Sequence, residues 1–536
     1  MEVPEGRIEE LARDTFGWGR LRPGQLEAVQ SVIRGQDTLV VMTTGSGKSA
    51  IYQLAGCLLE GATVVISPLI SLQRDQIEGI LDELPGEAAA LDASVSRRTR
   101  DQRLDALGGE LEFLFMAPEQ LARRETAERL AGSDISLLVV DEAHCISEWG
   151  HDFRPDYLRL GALVAQLGAP TVLALTATAS PPVRDEIVER LRMEEPEIIV
   201  RGFDRPNIRL SVEPFRDEHD KRAALLGRAQ SAGGPGIVYV ATHRLADELA
   251  AELEQLGLRA LAYHAGLGRR QRDRAQEAFM DDDIDVVVAT TAFGMGVDKP
   301  NVRFVLHHDP SDSVDSYYQE IGRAGRDGRP AEAVLFYRVE DLGRRRFFAA
   351  GGVDGATIQR VAEWIDARSG PHDPADLREE LELGESKLMT ALVRLEDAGA
   401  LAILPGGKVN SLGADPEEVE AAMEGAEEHR SFDRSRLEMM RGYAEHEHCR
   451  RAFVLSYFGE PYAGACGNCD NCEAGHGVPD GGDKPFAVGS RVTHAGWGEG
   501  VVQRYDGDHM VLLFGSVGYK TLSVTLVAER DLLRPA

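Results

Sequence analysis

The chain has 536 residues, 43% of them hydrophobic and 28% charged; this excludes a disordered chain and a single-core domain, and argues for roughly three to five packed domains. Its 59 Lys and Arg against 89 Asp and Glu give a net charge of -30, which at face value argues against a polyanion partner, although a global charge says little about a groove between domains. No run is long and apolar enough to span a bilayer, and Met1 to Arg20 lacks the basic start and apolar stretch of a secretory leader, so a cytoplasmic protein without a membrane partner is expected.

In chain order, residues 1–205 alternate strand-like apolar runs (38–42, 63–67, 137–140 and 171–175) with helical stretches, the pattern of a parallel sheet wrapped by helices. A second series fills 206–345, with strands at 236–240, 285–289 and 303–307. Two α/β lobes in tandem are implied. Over 346–412 the texture changes to three short helices (358–368, 373–381, 386–398) and a Gly-turned strand pair (401–405, 408–410), a winged-helix-like α+β segment, with a plain helical insert as the alternative. The acidic stretch 415–428 reads as a solvated helix face opening a helical, cysteine-bearing module over 413–478. The Gly-, Pro- and Asp-rich run 475–483 reads as a linker, and the short β-prone runs of 486–536 as a small β-barrel.

The β-prone run 39–41 empties into Thr43-Thr44-Gly45-Ser46-Gly47-Lys48-Ser49, and a helix through Tyr52 and Leu54 follows. Strand, glycine loop and helix come in the order a phosphate cradle needs. The glycines let backbone N–H groups converge on the β-phosphate of ATP, Lys48 brings a point charge to the β and γ oxygens, and the Ser49 hydroxyl can ligate magnesium. The candidate nucleotide residues here are therefore Thr44, Gly45, Ser46, Gly47, Lys48 and Ser49. The usual leading glycine is replaced by Met42.

Such a short motif needs a partner, and Leu137-Leu138-Val139-Val140-Asp141-Glu142-Ala143-His144 supplies one. Four apolar strand residues deliver adjacent carboxylates to the C-terminal edge of a sheet, Asp141 to hold magnesium and Glu142 to activate the attacking water, with His144 closing the box. A third element, Gln319-Glu320-Ile321-Gly322-Arg323-Ala324-Gly325-Arg326-Asp327-Gly328, carries arginines on a Gly-flexible segment able to reach a γ-phosphate. Gln319, Arg323 and Arg326 join the candidate catalytic set, because stabilising transition-state charge is the chief task in phosphoryl transfer. ATP would bridge both lobes, and its hydrolysis would change their contact.

These residues resemble superfamily 2 helicases and, within them, the RecQ family with its DEAH-type box, from about Phe16 to Gly328 and again from Cys449. The resemblance makes Phe16-Gly17-Trp18 through Arg22-Pro23-Gly24-Gln25 an adenine-recognition segment, with Gln25 reading the base edge and Trp18 and Arg22 flanking the nucleotide. Ser67-Pro68-Leu69-Ile70-Ser71-Leu72 and Met116-Ala117-Pro118-Glu119 look like strand-contacting segments, and Leu175-Thr176-Ala177-Thr178-Ala179 like the segment coupling hydrolysis to movement. Cys145 to Pro155 resembles the family's aromatic-rich loop, which reports bound DNA to the ATPase. There Trp149 and Phe153 can stack on bases while Arg154 offers a cation, so the candidate DNA contacts are Ser67, Trp149, His151, Phe153 and Arg154. Glu148 stands where many relatives have Gln. Phe203-Asp204-Arg205-Pro206-Asn207 and the run from Ala289 to Lys299 are also RecQ-like, and the family pattern makes Arg326 the arginine finger and Arg323 a second phosphate contact.

Four of the six cysteines, Cys449, Cys466, Cys469 and Cys472, fall close together, which in a cytoplasmic chain reads as metal binding and not as a disulfide framework. Four thiolates close a structural tetrahedral zinc site, an iron-sulfur cluster being the alternative. The cluster resembles the RecQ zinc pattern, although the winged-helix-like segment precedes it here and follows it in the usual order. Val488 to Gly500, with Thr521-Leu522, resembles the Tudor-like tail of UvrD-type helicases, a partner-docking module, a generic barrel being equally open.

The expected fold is α/β: two tandem RecA-like P-loop lobes, then a winged-helix-like segment, a helical zinc-binding module and a small C-terminal β-barrel. The resemblance implies an ATP-dependent DNA helicase moving 3′ to 5′ in repair and recombination. It would use ATP, Mg2+ and Zn2+, act as a monomer on single-stranded and duplex DNA, and have room for a protein partner at 486–536. An RNA helicase, or a DNA-bound scaffold or translocase recruiting repair or transcription partners, are the alternatives.

Overall fold

The computed structural model describes residues 3–68, 70–84, 86–92, 95–122, 124–147, 157, 160–294, 297–343, 353–404, 408–413, 415–460, 462, 464–477 and 484–536, with the backbone alone at 70–72, 75, 122, 124 and 386. The first sheet contains β1 (Thr38–Met42), β2 (Ala62–Ile66), β3 (Ala88–Leu91), β4 (Phe113–Met116), β5 (Ile135–Val140), β6 (Thr171–Thr176) and β7 (Glu197–Arg201). All pairings are parallel and the order is β3-β4-β2-β5-β6-β1-β7. Covering such a sheet on both faces requires nearly continuous Val, Ile and Leu, and every residue of β1, β2 and β4 is buried. The continuous runs of β1, β2, β5 and β6 are what the sequence pattern detects. β3, β4 and β7 go undetected in the sequence: Ala88–Leu91 reads Ala-Ala-Ala-Leu, a composition with no strand preference of its own that pairs only because β4 lies alongside.

The second sheet is likewise all parallel, with β8 (Ile208–Pro214), β9 (Gly236–Tyr239), β10 (Ala260–Tyr263), β11 (Val286–Ala289), β12 (Phe304–His307) and β13 (Ala331–Tyr337) in the order β10-β11-β9-β12-β13-β8. A hairpin of β14 (Leu401–Ile403) and β15 (Val409–Ser411) follows three helices, Gly355–Asp366, Pro374–Leu381 and Glu385–Asp397. The chain ends in an antiparallel sheet, β16 (Arg491–His494), β17 (Gly498–Asp506), β18 (His509–Phe514), β19 (Gly518–Ser523) and β20 (Leu533–Pro535), ordered β19-β18-β17-β16-β20.

Two compact units are present, and neither is continuous in sequence. The first takes residues 1–201 and 352–430. In it the three helices and the hairpin share one core of Ile358, Val361, Ile365, Leu377, Leu388, Leu392, Leu395, Leu401 and Val409. Asp354 and Asp373 cap the first two helices by accepting from the Thr357 and Ala375 N–H groups. The acidic run 415–428, expected to present a solvated helix face, belongs to the helix Pro416–Ala444, whose Ala422 and Ala426 are buried in that core on the other side. Small residues one turn apart let the helix approach while its glutamates stay wet. The second unit takes residues 202–351 and 431–536: the second sheet, the cysteine module and the terminal barrel. The linker expected at 475–483 lies outside the described residues from 478 onward.

Candidate active site and metal centre

In the first sheet β2, β5, β6 and β1 are consecutive neighbours, and each ends in a motif. Ser67 follows β2, Asp141 follows β5, Thr176 ends β6, and the loop Thr43–Ser49 follows β1. A parallel sheet presents all its strand C-termini along one edge, which is why segments far apart in sequence converge there.

Gly45 and Gly47 adopt φ of 79 and 80, a region open to glycine, and a Cβ on Gly47 would lie 2.7 Å from Gln25 Nε2. The Lys48 ammonium donates to the Met42 carbonyl at 2.9 Å and to that of Thr43 at 3.3 Å. Gln25 is buried and its amide donates to the Ser46 and Gly47 carbonyls at 3.2 and 2.8 Å, while the Arg22 guanidinium donates to Gly45 O. In this structure, then, two of the three residues assigned to the adenine, Gln25 and Arg22, hold the phosphate loop itself. Trp18 stacks on Phe16 at 4.6 Å.

Asp141 is buried; its carboxylate accepts from the Glu142 N–H at 3.0 Å and from the Ser67 hydroxyl at 3.4 Å. Burial pushes its pKa up, against the nearby Lys48 ammonium and these hydrogen bonds. Ser67, expected on the DNA side, is buried and faces this carboxylate. The Ser49 hydroxyl accepts from Gln76 at 3.4 Å, and Gln73 donates to Ser67 O at 2.7 Å. Nothing in the sequence singled out this Gln pair; its spacing along the helix Ile70–Glu83 was the available signal.

His144 is fully buried, with Nδ1 2.9 Å from Thr176 Oγ1 and 3.3 Å from Glu142 Oε2. The Thr176 hydroxyl donates to Thr178 O at 3.1 Å, so its oxygen accepts, which places the imidazole proton on Nδ1. The acidic box is thereby wired to the segment at the end of β6. Ser147, at the start of the stretch from Cys145 to Pro155, donates to Glu186 at 2.6 Å. Trp149, His151, Phe153 and Arg154 lie outside the described residues.

In the second unit the helix Val314–Ile321 carries the partly buried Gln319 and runs into Arg323 and Arg326. Arg326 donates to Val297 O at 3.1 Å and pairs with Asp298; burial, then the neighbouring Arg323, lower its pKa. Two residues at the family-like 203–207 stretch hold this segment by its carbonyls: Arg205 donates to those of Gly322, Ala324 and Gly325, and Asn207 to those of Gly325 and Arg329.

The sulfurs of Cys449, Cys466, Cys469 and Cys472 all lie within 4.8 Å of one another, and Cys466 Sγ is 3.8 Å from Cys472 Sγ. Metal–sulfur bonds of about 2.3 Å in a tetrahedron put sulfurs about 3.8 Å apart, so the four residues fit a closed zinc site. Cys469 is held toward the thiolate by the Cys449 and Cys466 thiols and by backbone N–H groups of Cys472 and Arg450. Gly467, at φ 64, makes the turn between ligands, and Asn471 ties the loop to the His446 and His448 carbonyls at 2.7 Å each.

Three family models match: DEAD/DEAH box helicase over residues 22–187, helicase conserved C-terminal domain over 220–328, and RecQ zinc-binding over 413–473. The ATP-dependent DNA helicase RecQ of Pasteurella multocida is 37% identical over 477 residues, 88% of this chain and 63% of that protein. The probable ATP-dependent DNA helicase RecS of Bacillus subtilis is 34% identical over 470 residues, 87% of this chain and 92% of that protein. The chain thus spans less than two thirds of the Pasteurella relative and nearly all of the Bacillus one. Among solved structures, Mycobacterium smegmatis helicase Lhr bound to ssDNA and AMP-PNP has a TM-score of 0.51 at 22% identity, over 78% of this chain and 62% of that one, a likeness of fold alone. No helix among the described residues is long and apolar enough to cross a membrane. With all three models matched in order and one third or more of the residues shared with such relatives, the chain belongs to the RecQ family of helicases.

Proposed function

We propose that the protein is an ATP-driven DNA helicase that moves 3′ to 5′ along one strand and unwinds duplexes in repair and recombination. The observation that carries this reading is the convergence of Lys48, Asp141, Glu142, His144 and Thr176 on one sheet edge, with the box hydrogen-bonded to the segment after β6. Lys48 would leave its carbonyl partners for the β and γ oxygens of ATP, and the amides of Thr44–Ser49 would surround the phosphates. Ser49 and Asp141 would hold the Mg2+, which when bound neutralises phosphate charge. Glu142 orients and deprotonates the attacking water, and His144 carries that change to Thr176. Arg323 and Arg326 contact the phosphates, with Arg326 as the finger. Gln25, Arg22 and Trp18 serve the adenine.

Trp149, His151, Phe153 and Arg154 receive the single strand by stacking and charge, without reading sequence. Zn2+ held by the four cysteines is structural, because four protein ligands leave no open position. The protein works as a cytoplasmic monomer, and the barrel at 486–536 meets a protein partner. The test is strand displacement on forked DNA, with ATP hydrolysis measured under single-stranded DNA and under single-stranded RNA. Lys48→Ala is expected to lose both activities, by more than about 100-fold. Stimulation by RNA and not by DNA would replace the DNA helicase with an RNA helicase.

A further inference from the structure

The helix Val314–Ile321 leads directly into the arginine segment, and successive residues of it are anchored to different elements of the same unit. Asp315 is only 2% exposed, so its carboxylate needs partners to stay charged. It accepts from the Tyr457 hydroxyl and from Arg436 at 3.4 Å, and Arg436 also donates to Ser313, the helix cap, at 3.0 Å. Tyr317 meets Tyr443 hydroxyl to hydroxyl at 3.1 Å, and Tyr318 donates to Phe203 O at 2.7 Å. Tyr457 lies on the helix Arg450–Tyr457, which Cys449 caps. The same helix supplies Arg451, which donates to Asp204 and to Ile208 O at 2.7 Å each, flanking the Arg205 that grips the arginine segment.

The terminal barrel packs on this helix too. The Tyr519 ring lies 5.4 Å from that of Tyr457 and 6.0 Å from that of Phe432, and its N–H donates to Ser435 Oγ at 3.0 Å. The approach is so close that a Cβ on Gly518 would lie 2.2 Å from that oxygen. Arg504 is buried with its guanidinium 3.8 Å from the centre of the Phe453 ring, and the Asp506 carboxylate accepts from His446 Nδ1 at 3.1 Å. A tail tethered only for recruitment needs no such seat.

We propose that the C-terminal barrel is a brace for the phosphate-contacting arginines, acting through Tyr519, Tyr457 and Asp315 as positioning residues. The proposal rests on the reading of Arg323 and Arg326 given above. Helix ends and glycine-rich segments fray readily, and an arginine that must meet transition-state charge loses effect with small displacements. Fixing the helix at Asp315, Tyr317 and Tyr318 fixes where Gly322 and Arg323 begin.

The test uses the full chain with Tyr457→Phe, which keeps the ring and removes one hydrogen bond to Asp315, and Tyr519→Leu, which removes the barrel's ring from Tyr457. Steady-state ATP hydrolysis with saturating single-stranded DNA, bound zinc and affinity for a fluorescent ATP analogue are measured together. Each variant is expected to lower kcat about fivefold with KM, analogue affinity and zinc content within about twofold of the parent. A kcat within twofold of the parent overturns the brace, as does a fall in kcat that comes only with lost zinc or a raised KM. Arg326→Ala is run alongside. If it leaves turnover intact, the arginine reading itself fails; if it stops turnover while the two tyrosine variants do not, only the brace fails.

Discussion

Glu142 sits at φ 49 and ψ 46, a left-handed conformation that costs a non-glycine residue on the order of 1 kcal/mol. The turn lets two adjacent residues at a strand end point different ways: the Asp141 carboxylate toward Ser67 and its own neighbour's N–H, the Glu142 carboxylate toward His144 Nδ1. With Glu142 as the base, Glu142→Gln is expected to bind a fluorescent ATP analogue at near parental affinity while phosphate release falls by about 100-fold or more. Near-normal release would remove Glu142 from that role. The acidic pair was legible in sequence as two carboxylates after an apolar strand. Its link to Thr176 was not, because that requires β5 and β6 to be neighbours, and thirty residues of intervening chain say nothing of which strand lies beside which.

At the scale of the element, Glu112 immediately precedes β4, and burial raises its carboxyl to about 7, opposed by a 3.4 Å hydrogen bond from Thr63 and aided by Glu87. A carboxyl raised in the folded state binds its proton more tightly there than in the unfolded chain. Stability from this group is therefore full below the ordinary carboxyl range and declines as pH rises toward about 7. Glu112→Gln should raise the melting temperature relative to the parent at about pH 8 and leave it nearly unchanged at about pH 4, read by thermal denaturation. A gain of equal size at both pH values would show that ionisation is not the cause. Gly518 opens β19 at φ 66 with Ser435 against it. Gly518→Ala is expected to cost about 2 kcal/mol or more, through strain and through a side chain with nowhere to go, whereas the same change at Gly507, with φ 56 and open space around it, should cost about 1 kcal/mol. Urea denaturation of both variants compares them. Strand β19 was legible from its β-prone run; its seat on the helix Pro416–Ala444 was not, since nothing in the local pattern marks Ser435 as a neighbour.

At the scale of the whole molecule, the cysteine module binds together parts of the second unit that are far apart in sequence. Asn468 donates to Pro206 O at 2.8 Å, Asp470 accepts from the Val212 N–H at 2.9 Å, Glu473 pairs with Arg209 at 2.7 Å, and Phe203 stacks on Phe458 at 4.5 Å. Metal ligation contributes directly to folding in such a loop. Cys469→Ser should lower bound zinc well below one equivalent and make the second unit, barrel included, unfold earlier, seen as a separate low-temperature transition in calorimetry. A single unshifted transition with zinc retained would exclude a structural role for this cluster.

The order of motifs was set by sequence alone: phosphate loop, acidic box, arginine segment and cysteine cluster are each contiguous, and local chemistry suffices to read them. So were the central strands, whose continuous apolar runs admit few other uses. Tertiary structure alone decided the partners: that Gln25 and Arg22 hold the phosphate loop, that Ser67 faces Asp141, that residues 352–430 belong with the first unit, and that the barrel is seated on the cysteine helix. The physical reason is that a side chain's identity fixes what it can donate, accept or bury, while its partner is fixed by which distant strands and helices the packed core makes neighbours.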